Sequence, residues 1–364
     1  MLFLYTGFYS LLPVLPLYIE QLGAAPWQIG IMIGLYTLSA VICRPLVGRL
    51  LDRNGRKTYL LLGIIFFAFF TVSYIWMTSL AWLIVLRIAH GASWGLVNTA
   101  LGTAIADSIP EGRKGEGMGW YGLSMTIAMA AGPLLAAWLL RNGSSAGLFL
   151  AAGLISAVPL LAALALPQPA RPATRRDARP VWSRELASSL VVIALLAFSF
   201  GGVTTYMPLY AASLGADTSM FFLIYASALS LARPLSARWI DRKGNKLIAG
   251  ALVLVVLSLL ILASARDAVG ISLAAALYGF GFGMAQPALQ TLVLRLTGPE
   301  RSGSANALFF TAFDIGIGVG SVALGLAAAA LGYDGLFGLC AIVVLCGFYL
   351  FLRARTAWAA ASRM

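Results

Sequence analysis

The sequence predicts an all-α membrane protein of about twelve transmembrane helices, folded as two similar six-helix bundles with both termini cytoplasmic. Three observations predict it. Of the 364 residues 60% are hydrophobic and only 10% charged, with a mean hydropathy of +0.90, whereas soluble domains carry roughly a quarter charged residues. The charges gather in short islands, separated by apolar stretches of about the 20 residues that a bilayer crossing needs. The second half of the chain repeats landmarks of the first at a nearly constant offset.

Taken in order, the apolar stretches fall at residues 2–19, 27–48, 58–77, 80–105, 118–140, 146–166, 187–212, 218–239, 247–265, 268–294, 304–331 and 334–353. The first carries Pro13 and Pro16 and is followed, after Glu20, directly by the second. It lacks the basic lead and small-residue cleavage site of a secretory signal, so it is expected to stay in the membrane. Gly132-Pro133 marks the fifth span, Gly279, Gly281 and Gly283 followed by Pro287 the tenth, and Gly316, Gly318 and Gly320 the eleventh. Small residues let helix backbones approach and proline removes one backbone hydrogen bond, so packing suffices to explain them. After the sixth span comes Pro167 to Arg184, rich in Pro and Arg. It divides the chain into an N-terminal six-helix bundle (1–166), a cytoplasmic linker (167–186) and a C-terminal six-helix bundle (187–364).

A formal charge of +12 raises the question of nucleic acid, and the placement of the bases answers it. Of the 25 Lys and Arg residues, twenty fall on one side of the spans, two (Arg141 and Arg266) on the other, and three (Arg44, Arg87 and Arg233) within spans. That asymmetry marks a cytoplasmic face, and the lipid bilayer, not nucleic acid, is the expected partner. Cys43, Cys340 and Cys346 sit in apolar segments without metal-ligand spacing and are expected to pack. No cofactor or metal is expected. The spans hold no paired carboxylates and the chain has no phosphate-binding Gly-Lys-Ser/Thr loop, which argues against an enzyme and against ATP-driven transport by this chain alone.

The repeat is specific. Arg44-Pro45-Leu46 with Arg49, Asp52-Arg53, Gly55 and Lys57 recurs as Arg233-Pro234-Leu235 with Arg238, Asp241-Arg242, Gly244 and Lys246, an offset of 189. Pro16-Leu17-Tyr18 returns as Pro208-Leu209-Tyr210 at 192, while Gly91, Gly95, Arg113 and Gly132 return as Gly279, Gly283, Arg301 and Gly320 at 188. Six helices joined by a cytoplasmic linker to six more give both halves the same orientation, the parallel repeat of one large transporter class.

These residues resemble the Major Facilitator Superfamily, and within it the twelve-helix drug:proton antiporter branch, over essentially the whole chain. The run Gly48-Arg49-Leu50-Leu51-Asp52-Arg53-Asn54-Gly55-Arg56-Lys57 matches the family's loop 2–3 signature almost position by position. Arg87-Ile88-Ala89-His90-Gly91 with Gly95 resembles its helix 4 motif, in which the arginine is implicated in proton transfer; His90 stands where a glutamine is common. Leu12 to Pro16 resembles the first-helix pattern of drug exporters, and Gly132-Pro133 the core of the antiporter motif, although Ala136-Ala137 replaces its following glycine pair. The resemblance implies a proton-coupled exporter of small amphipathic molecules or drugs, working by alternating access. Export of a hydrophilic metabolite, sugar or metal-chelating siderophore, substrate:proton symport, and a non-transporting scaffold are the alternatives.

The loop 2–3 island reads as a gate of Gly48, Arg49, Asp52, Arg53, Gly55 and Arg56, with Asp241 as the echo in the second half. Asp52 is expected to latch onto the start of the eleventh span near Ser304, since a helix N-terminus favours an anion by roughly 0.3–1 kcal/mol. A plain topology signal beside a surface turn is the simpler account. Deep in the spans the ionisable groups are Arg87, His90 and Asp314. A buried charge costs roughly 2.5–3.5 kcal/mol on insertion scales, so such groups face a partner or a wet cavity. At 1.5 Å per residue His90 and Asp314 each lie about 15 Å from a span end. Asp314 is the leading proton carrier, with His90 second and Arg87 beside it; a structural pair for Asp314 and a hydrogen-bonded core histidine for His90 are the simpler readings. Arg87, His90, Trp94 and Asn98 share one helix face, as do Tyr278, Phe282, Gln286 and Gln290. With Tyr5, Tyr9, Thr204 and Met207 they form the expected substrate cavity, apolar walls with few polar groups; helix packing and interfacial aromatics would use the same residue types. Protons and a small-molecule substrate are the expected ligands, and a monomer the expected state.

Overall fold

The computed structural model describes residues 1–54, 56–109, 114–165, 182–215, 218–297 and 302–361. Among them every regular element is helical, for the reason the hydropathy suggests: lipid offers no partner to a backbone N–H or C=O, so each segment bonds to itself. The helices are α1 (Leu2–Leu11), α2 (Leu15–Gln21), α3 (Pro26–Asn54), α4 (Lys57–Ser73), α5 (Leu80–Ser108), α6 (Lys114–Asn142), α7 (Ser145–Ala157), α8 (Pro159–Ala165), α9 (Arg184–Ser213), α10 (Thr218–Lys243), α11 (Asn245–Ser264), α12 (Ala268–Thr297) and α13 (Ser302–Ala361), with a 3₁₀ turn at Tyr74–Trp76.

Ten stretches of the described residues are long and apolar enough to cross a membrane, and α10 has a shorter apolar core, Met220–Ser236. One of the ten, Leu308–Ala354, lies in α13, which is two helices merged across Gly332. Gly332 has φ 70° and ψ −177°, a region that glycine enters without steric cost, and the chain turns there between the eleventh and twelfth spans. The result is about twelve apolar spans. The proline at Pro13 divides the first span into α1 and α2, and Pro159 divides the sixth into α7 and α8. Pro45, Pro133, Pro208, Pro234 and Pro287 sit inside continuous helices. Serines begin two of the helices: Ser144 accepts from the Gly147 amide and Ser183 from the Leu186 amide, which satisfies donors that the first turn leaves unpaired. Large apolar side chains stand on the outside, Leu161 and Val269 each 74% exposed, as a lipid-facing surface requires. The protein is therefore a multi-pass membrane protein.

The chain forms two compact units: residues 1–24 with 35–176, and residues 25–34 with 177–364. In the first, α1 packs on α6 and α7, and α4 on α5 and α7; in the second, α9 packs on α13, and α11 on α12 and α13. The glycines singled out above are close-approach points. A Cβ at Gly91 would collide with the Tyr36 carbonyl, one at Gly132 would lie 2.6 Å from the Tyr9 Cβ, one at Gly279 would collide with the Tyr225 carbonyl, and one at Gly320 with that of Phe198. The packing expectation for the cysteines applies to Cys340, which is buried; Cys43 is half-buried and Cys346 is exposed.

Candidate functional site

Within the first unit, α4 and α5 run antiparallel through the tight connection at Tyr74–Ser79, which brings two i, i+3 pairs face to face: Thr71 and Tyr74 on one side, Arg87 and His90 on the other. All four are buried. Arg87 Nη1 donates to Tyr74 Oη at 3.1 Å, and Tyr74 Oη lies 3.1 Å from His90 Nδ1. His90 Nε2 lies 3.2 Å from Thr71 Oγ1, which itself donates to the Phe67 carbonyl at 2.8 Å. The Arg87 guanidinium sits 4.3 Å over the centroid of the Tyr36 ring, a cation–π contact that strengthens when water is excluded. Tyr36 meets the His90 ring edge to face at 5.2 Å, and Phe67 lies 4.7 Å from it.

One helical turn further along α5, the expected aromatic set is assembled. Tyr5 donates to Asn98 Oδ1 at 2.7 Å and lies edge-on to Trp94 at 5.1 Å and 6.1 Å from Tyr9. Phe8 stacks on Trp94 at 4.3 Å with only 12° between the rings. Tyr5, Tyr9 and Trp94 are buried and Asn98 is half-buried.

The second unit holds a counterpart in which a tyrosine stands at the position corresponding to His90. Tyr278 Oη lies 3.0 Å from Ser199 Oγ, Tyr278 stacks on Phe282 at 5.8 Å, and Phe282 stacks on Phe200 at 4.7 Å. Arg233 Nη2 donates to Gln286 Oε1 at 2.8 Å. Thr204 donates to the Phe200 carbonyl of its own helix, and Met207 is wholly buried; Gln290 is half-buried. Asp314 is half-buried with Oδ2 shielded from solvent, next to Phe313, which lies 6.2 Å from Phe282.

Of the gating set, Gly48 has open space around it and Arg56 is buried. Gly55 and the side chains of Arg49, Asp52, Arg53 and Asp241 lie outside the described residues. Among the described residues no three of His, Cys, Asp and Glu gather as a metal site.

Sequence reasoning passed over Thr71, Tyr74, Tyr36, Phe8, Ser199 and Phe200. The signal for the first two was present: Thr71 and Tyr74 share a face at the end of the third span, a short loop before the fourth. A polar ridge on one helix of a tight hairpin calls for a partner ridge on the next. A polar cluster also lies at the start of the loop before α12. Arg266 Nη1 and Nη2 reach the two carboxylate oxygens of Asp334 at 2.7 and 2.5 Å, and Tyr210 donates to the Ala265 carbonyl. Hydrogen bonding to Asp334 holds the exposed Arg266 guanidinium above its usual pKa.

Residues 1–321 match the family model of the Major Facilitator Superfamily. The chain is 27% identical to the staphylopine export protein of Staphylococcus aureus, over 91% of this chain and 88% of that protein. It is 24% identical to the multi-drug resistance efflux pump PmrA of Streptococcus pneumoniae, over 89% and 86% respectively. The crystal structure of the nucleoside transporter NupG superposes with a TM-score of 0.78 at 15% identity, over 97% of each chain, a likeness of fold.

Proposed function

The chain belongs to the Major Facilitator Superfamily and is a membrane transporter, not an enzyme; from that premise we propose that it exports small amphipathic molecules or drugs in exchange for protons. The observation that carries the proposal is the polar cluster of Arg87, Tyr74, His90 and Thr71, buried beside the Phe8–Trp94 stack. A cation buried within a membrane-spanning helix is costly and by default marks a functional site. Efflux relatives matched along some nine-tenths of the chain support the outward direction.

In this reading Asp314 carries the proton and Arg87 and His90 complete the coupling set. A carboxylate away from bulk water is a reversible proton acceptor. The aromatic residues Tyr5, Tyr9, Trp94, Tyr278 and Phe282 supply apolar contact for cargo, and Asn98, Thr204, Gln286 and Gln290 supply orientation; Met207 adds a soft apolar surface. Gly48, Arg49, Asp52, Arg53, Gly55, Arg56 and Asp241 gate the cytoplasmic side, where both termini lie. The transporter works as a monomer. The staphylopine exporter favours a second reading, in which the cargo is one particular metabolite and the mechanism is unchanged.

Everted vesicles with an acidified lumen test this. Adding cargo should discharge part of the pH gradient, and Asp314→Asn should abolish the discharge while the protein still folds and inserts. Normal discharge by Asp314→Asn would overturn the carrier assignment, and no discharge by the wild-type protein with any of a panel of drugs or secreted metabolites would overturn proton exchange.

A further inference from the structure

The hydrogen-bond chain in the first unit has a direction, and that direction assigns a tautomer. Thr71 has one hydroxyl hydrogen, which goes to the Phe67 carbonyl at 2.8 Å. Toward His90 it can therefore only accept, so Nε2 carries a hydrogen. Tyr74 accepts from Arg87, and its single hydrogen has one remaining acceptor, His90 Nδ1 at 3.1 Å. The opposite tautomer would leave the Tyr74 hydrogen facing the Arg87 cation and would take the Thr71 hydrogen from its carbonyl. Only the chain Arg87 to Tyr74 to His90 to Thr71 to Phe67 satisfies every link.

We propose that His90 is a positioning residue: as a neutral, Nε2-protonated imidazole it holds the Tyr74 hydroxyl, and through it the Arg87 guanidinium, in place over the Tyr36 ring. An added proton would have to enter at Nδ1. That breaks the Tyr74 O–H···N bond and turns the tyrosine hydrogen toward Arg87, where no acceptor waits. The groups that face the imidazole are Arg87 from its own helix, Tyr36 from α3, Phe67 and Thr71 from α4, and Tyr74 from the 3₁₀ turn. Among the described residues none of these is a carboxylate that would compensate the charge. The turn that holds Tyr74 is itself anchored, since Tyr18 Oη lies 2.8 Å from both the Tyr74 and Met77 carbonyls and shares its one hydrogen between them. Tyr74 therefore cannot follow a rotating Arg87, and the guanidinium stays where the chain aims it. The consequence for transport rests on the proton-exchange reading; the tautomer does not.

The protein contains a single histidine, so ¹⁵N-histidine labelling of the full chain in lipid nanodiscs reports on His90 alone. The expected spectrum is that of a neutral Nε2–H imidazole throughout the range from about pH 5 to 8 in which histidine normally titrates. A titration midpoint inside that window, or the Nδ1–H tautomer, would overturn the proposal whatever the transport assay shows. Tyr74→Phe should shift the Nδ1 resonance by removing its donor. In the vesicle assay, His90→Ala and Tyr74→Phe should each lower the maximal exchange rate about tenfold, the scale of one buried hydrogen bond, with the double variant no worse than either single one. His90→Gln, whose carbonyl oxygen can accept from Tyr74 and whose NH2 can donate to Thr71 but which does not titrate, should recover most of the rate with the wild-type pH profile. Failure of that recovery in a folded protein, or an altered pH profile, would instead make His90 a proton carrier. Should the wild type exchange no protons, the export reading falls and the labelled spectrum still decides the tautomer.

Discussion

The two bundles agree at their ends and differ in the middle. At one end Tyr18 donates to the Met77 carbonyl and lies 5.0 Å from Phe149; Tyr210 donates to the Ala265 carbonyl and lies 5.5 Å from Phe337. Those six residues correspond at offsets of 192, 188 and 188. Gly91 against the Tyr36 carbonyl corresponds to Gly279 against that of Tyr225, and Phe8 stacked on Trp94 to Phe200 stacked on Phe282. Yet at the offset of 188 Arg87 becomes Ala275, His90 becomes Tyr278 and Tyr74 becomes Leu262. At this position the first bundle holds a buried cation with its hydrogen-bond chain and the second a tyrosine–serine contact, with Arg233 bonded to Gln286 elsewhere in that unit. Contacts that define a helix hairpin were retained in both copies because each copy must pack.

The sharpest way to break this comparison is Arg87→Leu set against Tyr278→Phe. Arg87→Leu should reduce proton-coupled exchange in everted vesicles to background, whereas Tyr278→Phe should retain most of it and cost about 1 kcal/mol of stability, one neutral hydrogen bond. Equal loss from both would show that the middle of the second bundle is no more dispensable than that of the first.

A smaller effect tests the shared framework. Gly91→Val and Gly279→Val each push a side chain into a neighbouring carbonyl, and overpacking of this kind costs about 1–3 kcal/mol. Thermal unfolding in detergent should show a similar fall in melting temperature for the two. A large difference between them would mean that the two hairpins are not equivalent.

The smallest effect is expected from the Arg266–Asp334 pair, which the first bundle lacks: Thr78 and Ala146 stand at the corresponding positions. Its partners are 61% and 45% exposed, so Asp334→Asn should lower the melting temperature less than either glycine variant, and the difference should vanish in high salt. The sign with pH follows from the raised pKa of Arg266. The pair's contribution on the arginine side is complete below the ordinary guanidinium range and is lost only as pH rises through the higher folded value. Unfolding between pH 6 and 8, on the order of neutrality, should therefore show no arginine-linked slope.

Much of the architecture is legible in the sequence alone. The length of an apolar run is a local property, and it locates the spans to within a few residues, including the turn at Gly332 between the last two. Arg87 and His90 stood out because charge at that depth needs a reason, and Trp94 and Asn98 because helical spacing puts them on their face. The sequence did not reveal what these groups touch. Tyr5 reaching Asn98 across 93 residues, or Arg233 reaching Gln286 across 53, depends on how far each helix is rotated and at what depth it meets its neighbour.

By itself the sequence determined the number and order of the spans, the doubling of the chain and the few places where ionisable groups enter lipid, because each follows from solvation along a single segment. Only the tertiary structure decided that Tyr74 and Thr71 flank His90, and that Arg87 lies on the Tyr36 ring. A hydrogen bond between helices needs two side chains at the same height and facing each other, and that alignment is set by the close packing of glycine against carbonyl, not by either helix alone.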